Sequence, residues 1–289
     1  MAAVLNSNIA SLWASKNLQG AQTKMADSVE RLSSGLRINR ARDDAAGLGI
    51  ANALTSQING ANQGVRNLND GISMVQTAEG AIAAAQEMGQ RILTLATQGA
   101  NGTLGTTERT AIKSEMQQLI IAIDGIGGRT KFSGNNLLAQ RVTGGTGFTL
   151  QVSNNTTDTI TLAAGAFIDI GTGVSSSDQT GQADALNTAI EATATAAHMQ
   201  ATQDAASAYV TSLTTQRSLL GAYQNQIEFT VSNVAELSSN LSAARSSVQD
   251  TDYASETASL TKGQILQQAA TAMLAQANQM PNVILSLLK

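Results

Sequence analysis

Cysteine is absent from the 289 residues, and histidine and proline occur once each, as His198 and Pro281. Without thiols there is no disulfide framework, no thiolate catalysis and no Cys-based zinc or iron–sulfur site. A single imidazole leaves room for at most one His-based triad and for no two-His metal site on a helix turn. Charge is also scarce: 13% of residues are Asp, Glu, Lys or Arg, where a soluble domain carries roughly a quarter. With 17 Lys and Arg against 21 Asp and Glu, a net charge of -4 and a pI near 5.0, no basic patch forms. That balance speaks against nucleic acid or an anionic membrane as partner. No apolar run approaches the roughly 20 residues that cross a bilayer. The first residues lack a basic segment followed by an apolar one, so no Sec-type leader is expected, although a dedicated export machine can read other signals. A chain so poor in proline and rich in Ala, Gln, Leu and Ser is expected to form long uninterrupted helices.

What is present is hydrophobic periodicity. Leu266, Ala270, Met273, Ala277, Met280, Ile284 and Leu287 alternate steps of four and three, the spacing of a coiled-coil seam. Similar seams run through Ile112, Met116, Leu119, Ile123 and Ile126, and through Val65, Leu68, Ile72 and Val75 on to Ala85, Met88, Ile92 and Leu95. Another joins Val210, Leu213, Leu220, Ile227, Val231, Val234, Leu241 and Val248, with Arg217, Gln224, Ser238 and Arg245 in its polar slots. A shorter one holds Met25, Val29, Leu32 and Leu36. Any one amphipathic stretch is more often simple core packing; five in one chain point to helix association. Breaks fall at Gly99 to Thr107, at Gly125 to Gly128 and in the Gly/Ser/Thr-rich stretch 171–182, with helix resuming near Ala183. Between 132 and 170, Phe148, Leu150 and Val152 and then Ile160 and Leu162 alternate with polar residues around Asn154-Asn155, which predicts a β-hairpin.

The expected fold is mostly α: a long antiparallel helical bundle or coiled-coil rod with a small β-hairpin region and both termini at one end. A helix over 45–98 would be roughly 80 Å long at about 1.5 Å per residue, too long for a compact core. The expected division is 1–40 with 250–289 as a terminal coiled-coil domain, and 41–249 as a helical rod domain with the hairpin near 132–170.

Few residues offer chemistry. Gly144-Gly145-Thr146-Gly147 lacks the Lys-Ser/Thr pair of a phosphate loop and reads as a turn. Asp43-Asp44 could hold a hard cation, but local ion pairs with Arg40 and Arg42 and helix N-terminal charge at Ala45 explain them more simply. His198 reads as a surface residue. Glycosylation triplets at Asn101, Asn154, Asn155 and Asn240 carry little weight at this length of pattern. No catalytic residue, cofactor site or metal site is assigned.

The residues also resemble a known family. Asn6-Ser7-Asn8, Ser11-Leu12, Asn17-Leu18 and Ser28-Val29-Glu30-Arg31-Leu32-Ser33-Ser34-Gly35-Leu36-Arg37-Ile38-Asn39 are similar to the N-terminal signature of bacterial flagellin. So are Asp43-Asp44-Ala45-Ala46-Gly47-Leu48, Asn69-Asp70-Gly71-Ile72-Ser73 and Gln76-Thr77-Ala78-Glu79-Gly80. At the other end, Leu220-Gly221-Ala222-Tyr223-Gln224-Asn225, Asn240-Leu241-Ser242-Ala243-Ala244-Arg245, Asp250-Thr251-Asp252-Tyr253-Ala254 and Leu260-Thr261-Lys262-Gly263-Gln264-Ile265-Leu266 match, as does Met273-Leu274-Ala275-Gln276-Ala277-Asn278-Gln279. Larger flagellins insert β-rich outer domains between these arms, so a short, core-only form is implied.

The resemblance implies a structural, non-enzymatic subunit that self-assembles into the flagellar filament for motility, secreted to the cell exterior without bound cofactor. It implies as partners other copies of the chain, an export chaperone, the type III export apparatus, the filament cap and the hook–filament junction proteins. The terminal arms would line the inner tube, through an assembly interface at Leu32, Leu36, Leu266, Met273, Ala277, Met280, Ile284 and Leu287. Gln90, Arg91, Leu95 and Glu115 agree with the family's Toll-like receptor patch, whereas Leu93-Thr94 replaces a frequent Arg-Glu pair, which counts against host receptor recognition. A hook–filament junction protein is the structural alternative; a peptidase-bearing flagellin is the enzymatic one, disfavoured by the single His and the lack of an insert. A seam with alanine in two slots buries little apolar area, so the arms are expected to be disordered in the free subunit and to fold on assembly. Limited proteolysis should therefore clip both ends of the monomer and spare 45–248, and should spare the whole chain in polymer; full-length protection of the monomer would refute this. Ser175-Ser176-Ser177 is expected to face solvent and offer hydroxyls to O-glycans.

Overall fold

The computed structural model describes residues 8–138, 147–163, 167, 170 and 181–287, with only the helical backbone described for 181, 182 and 280–287. Its helices are α1 (Ile9–Ser34), α2 (Ala45–Gly99), α3 (Thr106–Arg129), α4 (Gly181–Glu191), α5 (Ala196–Gln249) and α6 (Tyr253–Leu287). Among the described residues, four short strands form two antiparallel pairs: β1 (Lys131–Phe132) with β2 (Asn135–Asn136), and β3 (Phe148–Gln151) with β4 (Thr159–Leu162). The mostly helical fold with a hairpin is thus as expected. The stretches holding Gly144 to Thr146 and Ser175 to Ser177 lie outside the described residues.

The chain divides into two compact units, Met1–Ser56 with Asn240–Lys289, and Gln57–Ser239. In the second, α2 buries Leu68, Val75, Ala78, Ile82, Ala85, Ile92 and Leu95 along one stripe at the predicted three–four spacing. Facing it, α5 buries Ala206, Tyr209, Leu213, Leu220, Ile227 and Val234, and α3 adds Met116, Ile120 and Ile123. The two long helices run antiparallel, because Met199 lies beside Gly99, Tyr209 beside Gly89, and Ser238 donates a 2.9 Å hydrogen bond to Asn62.

The polar slots of this seam are filled by cross-helix contacts. Arg217 donates to Gln86 at 3.0 Å and to Glu79 at 3.3 Å, and Gln86 donates to Thr214 at 3.1 Å. A half-exposed ion pair of this kind adds at most about 1 kcal/mol. Its larger effect is on register, since sliding either helix by a turn strands these groups among apolar side chains.

The β3–β4 hairpin has the expected inward residues, with Val152, Ile160 and Leu162 buried and Thr161 exposed. It lies against a row of glycines on α2. A Cβ on Gly64 would stand 1.6 Å from the Val152 carbonyl oxygen, and one on Gly71 would stand 2.3 Å from a Leu150 methyl. Asn67 then donates to the Gln151 carbonyl at 3.0 Å, satisfying a strand acceptor that no further strand covers. Phe148 packs edge-on to Phe167 with ring centroids 5.1 Å apart.

Two details depart from expectation. Helix α3 runs through Gly125 to Gly128 and stops at Arg129, where the Thr130 hydroxyl donates to the Ile126 carbonyl at 2.7 Å. The glycines cost helix stability but do not end the helix, because Ile123 and Gly127 are buried on its inner face. The β1–β2 hairpin was not foreseen; its two-residue turn, Ser133-Gly134, has φ of 49° and 85°, as a mirror-image turn requires.

Replacing Gly64 by Ala should lower thermal stability by about 1–3 kcal/mol, since the hairpin must lift from the helix. Gly80, also in α2 but with open space around it, should gain about 0.5–1 kcal/mol from the same change. Equal melting of the two variants would show that the glycine row does not set the hairpin's position.

Candidate assembly interface

The terminal helices pair antiparallel in the first unit. Asn8 donates to the Ala277 carbonyl at 2.7 Å, Ser11 to Asn278 at 3.1 Å, Gly263 faces Met25, and Arg31 lies 3.7 Å from Glu256. Both ends of the described chain therefore meet at one end of this pair. Along α1 the buried positions are Ala14, Ala21 and Ser28, seven residues apart; along α6 they are Gly263 and Ala277, with Ala270 half-buried between them. Small side chains let the backbones approach, so that Cα atoms come within 8 Å along the pair, which α2 and α5 with their larger residues scarcely do. Leu18, Met25 and Leu32 on α1 and Leu260 and Leu274 on α6 fill the intervening slots, half-buried.

This seam is rotated from the one expected on α6. Ala270 and Ala277 belong to it, but Leu266 is 46% and Met273 65% exposed, because small residues rather than large ones face α1. On α1, Val29 is exposed and Leu32 half-buried, and Leu36, just past the end of α1, is half-buried too. The Met280, Ile284 and Leu287 side chains lie outside the described residues. What the pair leaves uncovered is apolar: Ile9, Leu12 and Trp13 on α1, with Lys16 stacked 5.9 Å from the indole, and Ile265, Leu266 and Met273 on α6. Spacing of three and four places Ile9, Leu12 and Trp13 on one face of α1, opposite Ala14 and Ala21.

The segment after α1 fastens the pair. Gly35 ends α1 with φ of 72°, its N–H bonded to the Arg31 carbonyl, a left-handed cap that favours glycine. Leu36 then bridges Asp250, Thr251 N–H donates to Gly35 at 2.9 Å, and Arg37 binds the Gln249 carbonyl through its N–H and the Val248 carbonyl through its guanidinium, each at 2.7 Å. Ile38 is fully buried there. The quoted motif Ser34-Gly35-Leu36-Arg37-Ile38-Asn39 is thus a backbone clasp onto 248–251, a role its sequence alone did not disclose.

Asp44 sits at the start of α2 as the simpler explanation has it and Asp43 lies 3.6 Å from Arg42, but the Arg40 guanidinium pairs with Glu30 at 2.8 Å instead of with either aspartate. Asp44 accepts from Gly47 N–H at 2.8 Å at the start of α2, and Asp43 accepts from Arg40 and Asn39 N–H groups at 3.0 and 3.2 Å. The bond from Arg40, with that from Asn39 and the charges of Arg42 and Arg31, holds the Asp43 carboxyl below its ordinary value. His198 is exposed, its Nδ1 2.6 Å from the Thr195 hydroxyl that caps α5. Among the described residues no cluster of three or more His, Asp or Glu is placed to hold a metal. No described helix is long and apolar enough to cross a membrane.

Of the receptor-pattern residues, Gln90, Arg91 and Glu115 are exposed and Arg91 binds Glu115 through Nε and Nη2 at 3.1 and 2.7 Å. Leu95 is 3% exposed and belongs to the α2 core stripe.

Residues 5–143 match the bacterial flagellin N-terminal helical region, and residues 199–288 match the bacterial flagellin C-terminal helical region. The chain belongs to the bacterial flagellin family. It is 38% identical to the flagellar filament 33 kDa core protein of Treponema phagedenis, over 99% of this chain and all of that one. It is also 38% identical to a flagellin of Halalkalibacterium halodurans, again over 99% of this chain and all of the relative. Those alignments span 295 and 288 residues, so flagellins of this same short length exist and the core-only form stands. A flagellar hook-associated protein structure from Vibrio parahaemolyticus covers 72% of this chain and all of its own, with TM-score 0.52 and 13% identity, a likeness of fold alone.

The Asp43 contacts predict a pH dependence. A carboxyl held low in the folded state stabilises the 39–43 turn above the ordinary carboxylate range, and that contribution is lost as pH falls through the lowered value. The protection of the Asn39 and Arg40 amides, taken relative to their intrinsic exchange rate at each pH, should fall on acidification in the parent. That protection should be low at every pH in Asp43→Ala; protection that ignores pH in the parent would refute the assignment.

Proposed function

We infer that this chain is the structural subunit of a bacterial flagellar filament, built by association of copies of the chain outside the cell. Family membership over nearly its whole length supports this, and the observation that carries the mechanism is the uncovered apolar face of the terminal pair. Ile9, Leu12, Trp13, Ile265, Leu266 and Met273 are exposed while Ala14, Ala21 and Ala277 are buried. A helix pair that spends its small residues internally and leaves its large ones outside is suited to meet other pairs. Each large apolar side chain so covered contributes about 1.5–3 kcal/mol.

In this reading the interface comprises Leu32, Leu36, Leu266, Met273, Ala277, Met280, Ile284 and Leu287, with 1–40 and 250–289 lining the filament and 41–249 forming the rest of the subunit. Leu266 and Met273 would contact neighbouring copies, and Ala277 would act indirectly by setting the spacing of the pair. Contacts that repeat head to tail without closing a ring propagate as an open helix. Low overall charge favours such packing, since buried unpaired charges are costly. The subunit would act without enzymatic activity and reach the exterior through a type III export apparatus with a chaperone, then assemble beneath a filament cap on hook–filament junction proteins. Toll-like receptor recognition is disfavoured by Leu93-Thr94, and of the receptor-pattern residues only Gln90, Arg91 and Glu115 stand at the surface, Leu95 being buried. The hook–filament junction alternative has only a likeness of fold in its favour, against whole-length identity to flagellins.

Met273→Asp tests the interface. A charge in the contact should cost about 2–5 kcal/mol through desolvation and lost packing. Elongation on filament seeds should fail while the thermal melting of the monomer is unchanged. Early melting of the variant, or normal elongation, would overturn the reading.

A further inference from the structure

We propose that Asn101-Gly102 is a self-modifying site, at which the Asn101 amide is lost spontaneously to give aspartate and isoaspartate. The Asn-Gly pair occurs twice in the chain, at Asn59-Gly60 and at Asn101-Gly102. The two copies sit in opposite environments. Asn59 and Gly60 lie inside α2, where the Gly60 amide is held in the helix, and a Cβ on Gly60 would come 2.8 Å from Asn154 of the hairpin. Asn101 and Gly102 lie between α2 and α3, both exposed, with open space around Gly102.

The loop arranges the reacting groups. Thr103 N–H donates to Asn101 Oδ1 at 3.2 Å and so polarises the side-chain carbonyl. Among the described residues no acceptor engages the Gly102 N–H, leaving that nitrogen free to act as nucleophile. The Asn101 main-chain carbonyl is fixed instead by Arg109 Nη2 at 2.9 Å and Leu104 N–H at 3.3 Å. The Gly102 nitrogen, on losing its proton, attacks Asn101 Cγ. The new N–Cγ bond closes a five-membered imide as the Cγ–Nδ2 bond breaks, and ammonia leaves with a proton taken from solvent. Water then adds to either imide carbonyl, reopening the ring to aspartate or isoaspartate. Nothing is oxidised or reduced, and water is the only co-reactant.

The product changes the α2–α3 connection. A carboxylate appears just beyond the C-terminus of α2, where the helix dipole disfavours negative charge, beside the Arg109 guanidinium that already binds the Gly99 and Asn101 carbonyls. The isoaspartate form lengthens the backbone by one carbon and disrupts the Leu104-to-Asn101 turn bond. In a long-lived subunit such conversion marks age, and it alters this loop without any modifying enzyme.

The test uses the purified full-length subunit, incubated at neutral and alkaline pH and mapped by peptide mass spectrometry with isoaspartate labelling. Amide loss at Asn101 should exceed that at Asn59 by at least about tenfold, because the helical site must first open locally. It should quicken with alkalinity. In denaturant Asn59 should rise to the level of Asn101. Gly102→Ala, which the open space accommodates, should slow conversion at residue 101 while melting is unchanged. Equal conversion at both sites in the folded subunit, no conversion at either, or an undiminished rate in Gly102→Ala would overturn the proposal.

Discussion

Close approach at small side chains is the constraint on which both units depend. In the terminal pair, Ala14, Ala21 and Ser28 meet Gly263, Ala270 and Ala277, bringing backbones near enough for Asn8 and Ser11 to hydrogen-bond across the seam. In the other unit, Gly60, Gly64 and Gly71 let a hairpin lie directly on α2. Proteins achieve close packing by interlocking shapes. Here the interlocking is backbone against backbone, and the large side chains are displaced to other faces.

That displacement links packing to function. A helix whose small residues are used internally must put its leucines and methionines elsewhere, and on α6 they emerge at Leu266 and Met273. The bundle of α2, α3 and α5 does the reverse, burying Leu68, Ile82, Ile92, Met116, Leu213 and Leu220 almost completely. One unit carries its own apolar core and the other presents apolar surface.

Polar groups supply what apolar packing does not, a single register. A long apolar seam tolerates sliding by whole turns, whereas Arg217 with Glu79 and Gln86, and Ser238 with Asn62, fit at one alignment. Gln216 Nε2 and Arg217 Nε are buried without partners among the described residues, a cost accepted close to those specifying contacts. The clasp from Gly35 to Ile38 onto 248–251 sets the terminal pair in the same way, through backbone groups that pair at one offset.

The sequence by itself determined that long helices form, where α2 begins and ends, which stripes of α2 and α5 are buried, and that a hairpin lies between α3 and α4. These follow from local periodicity and from the near absence of proline, and neither requires knowledge of a partner. The flagellin motifs at both ends were equally legible, although the clasp formed by Gly35 to Ile38 was not. Tertiary structure decided which face of α6 turns inward, because apolar residues occupy several faces and only the spacing demanded by α1 selects Gly263, Ala270 and Ala277 over Leu266 and Met273. It also decided that the glycines of α2 receive a strand. Periodicity records which faces are apolar, but the distance at which two backbones settle depends on both at once.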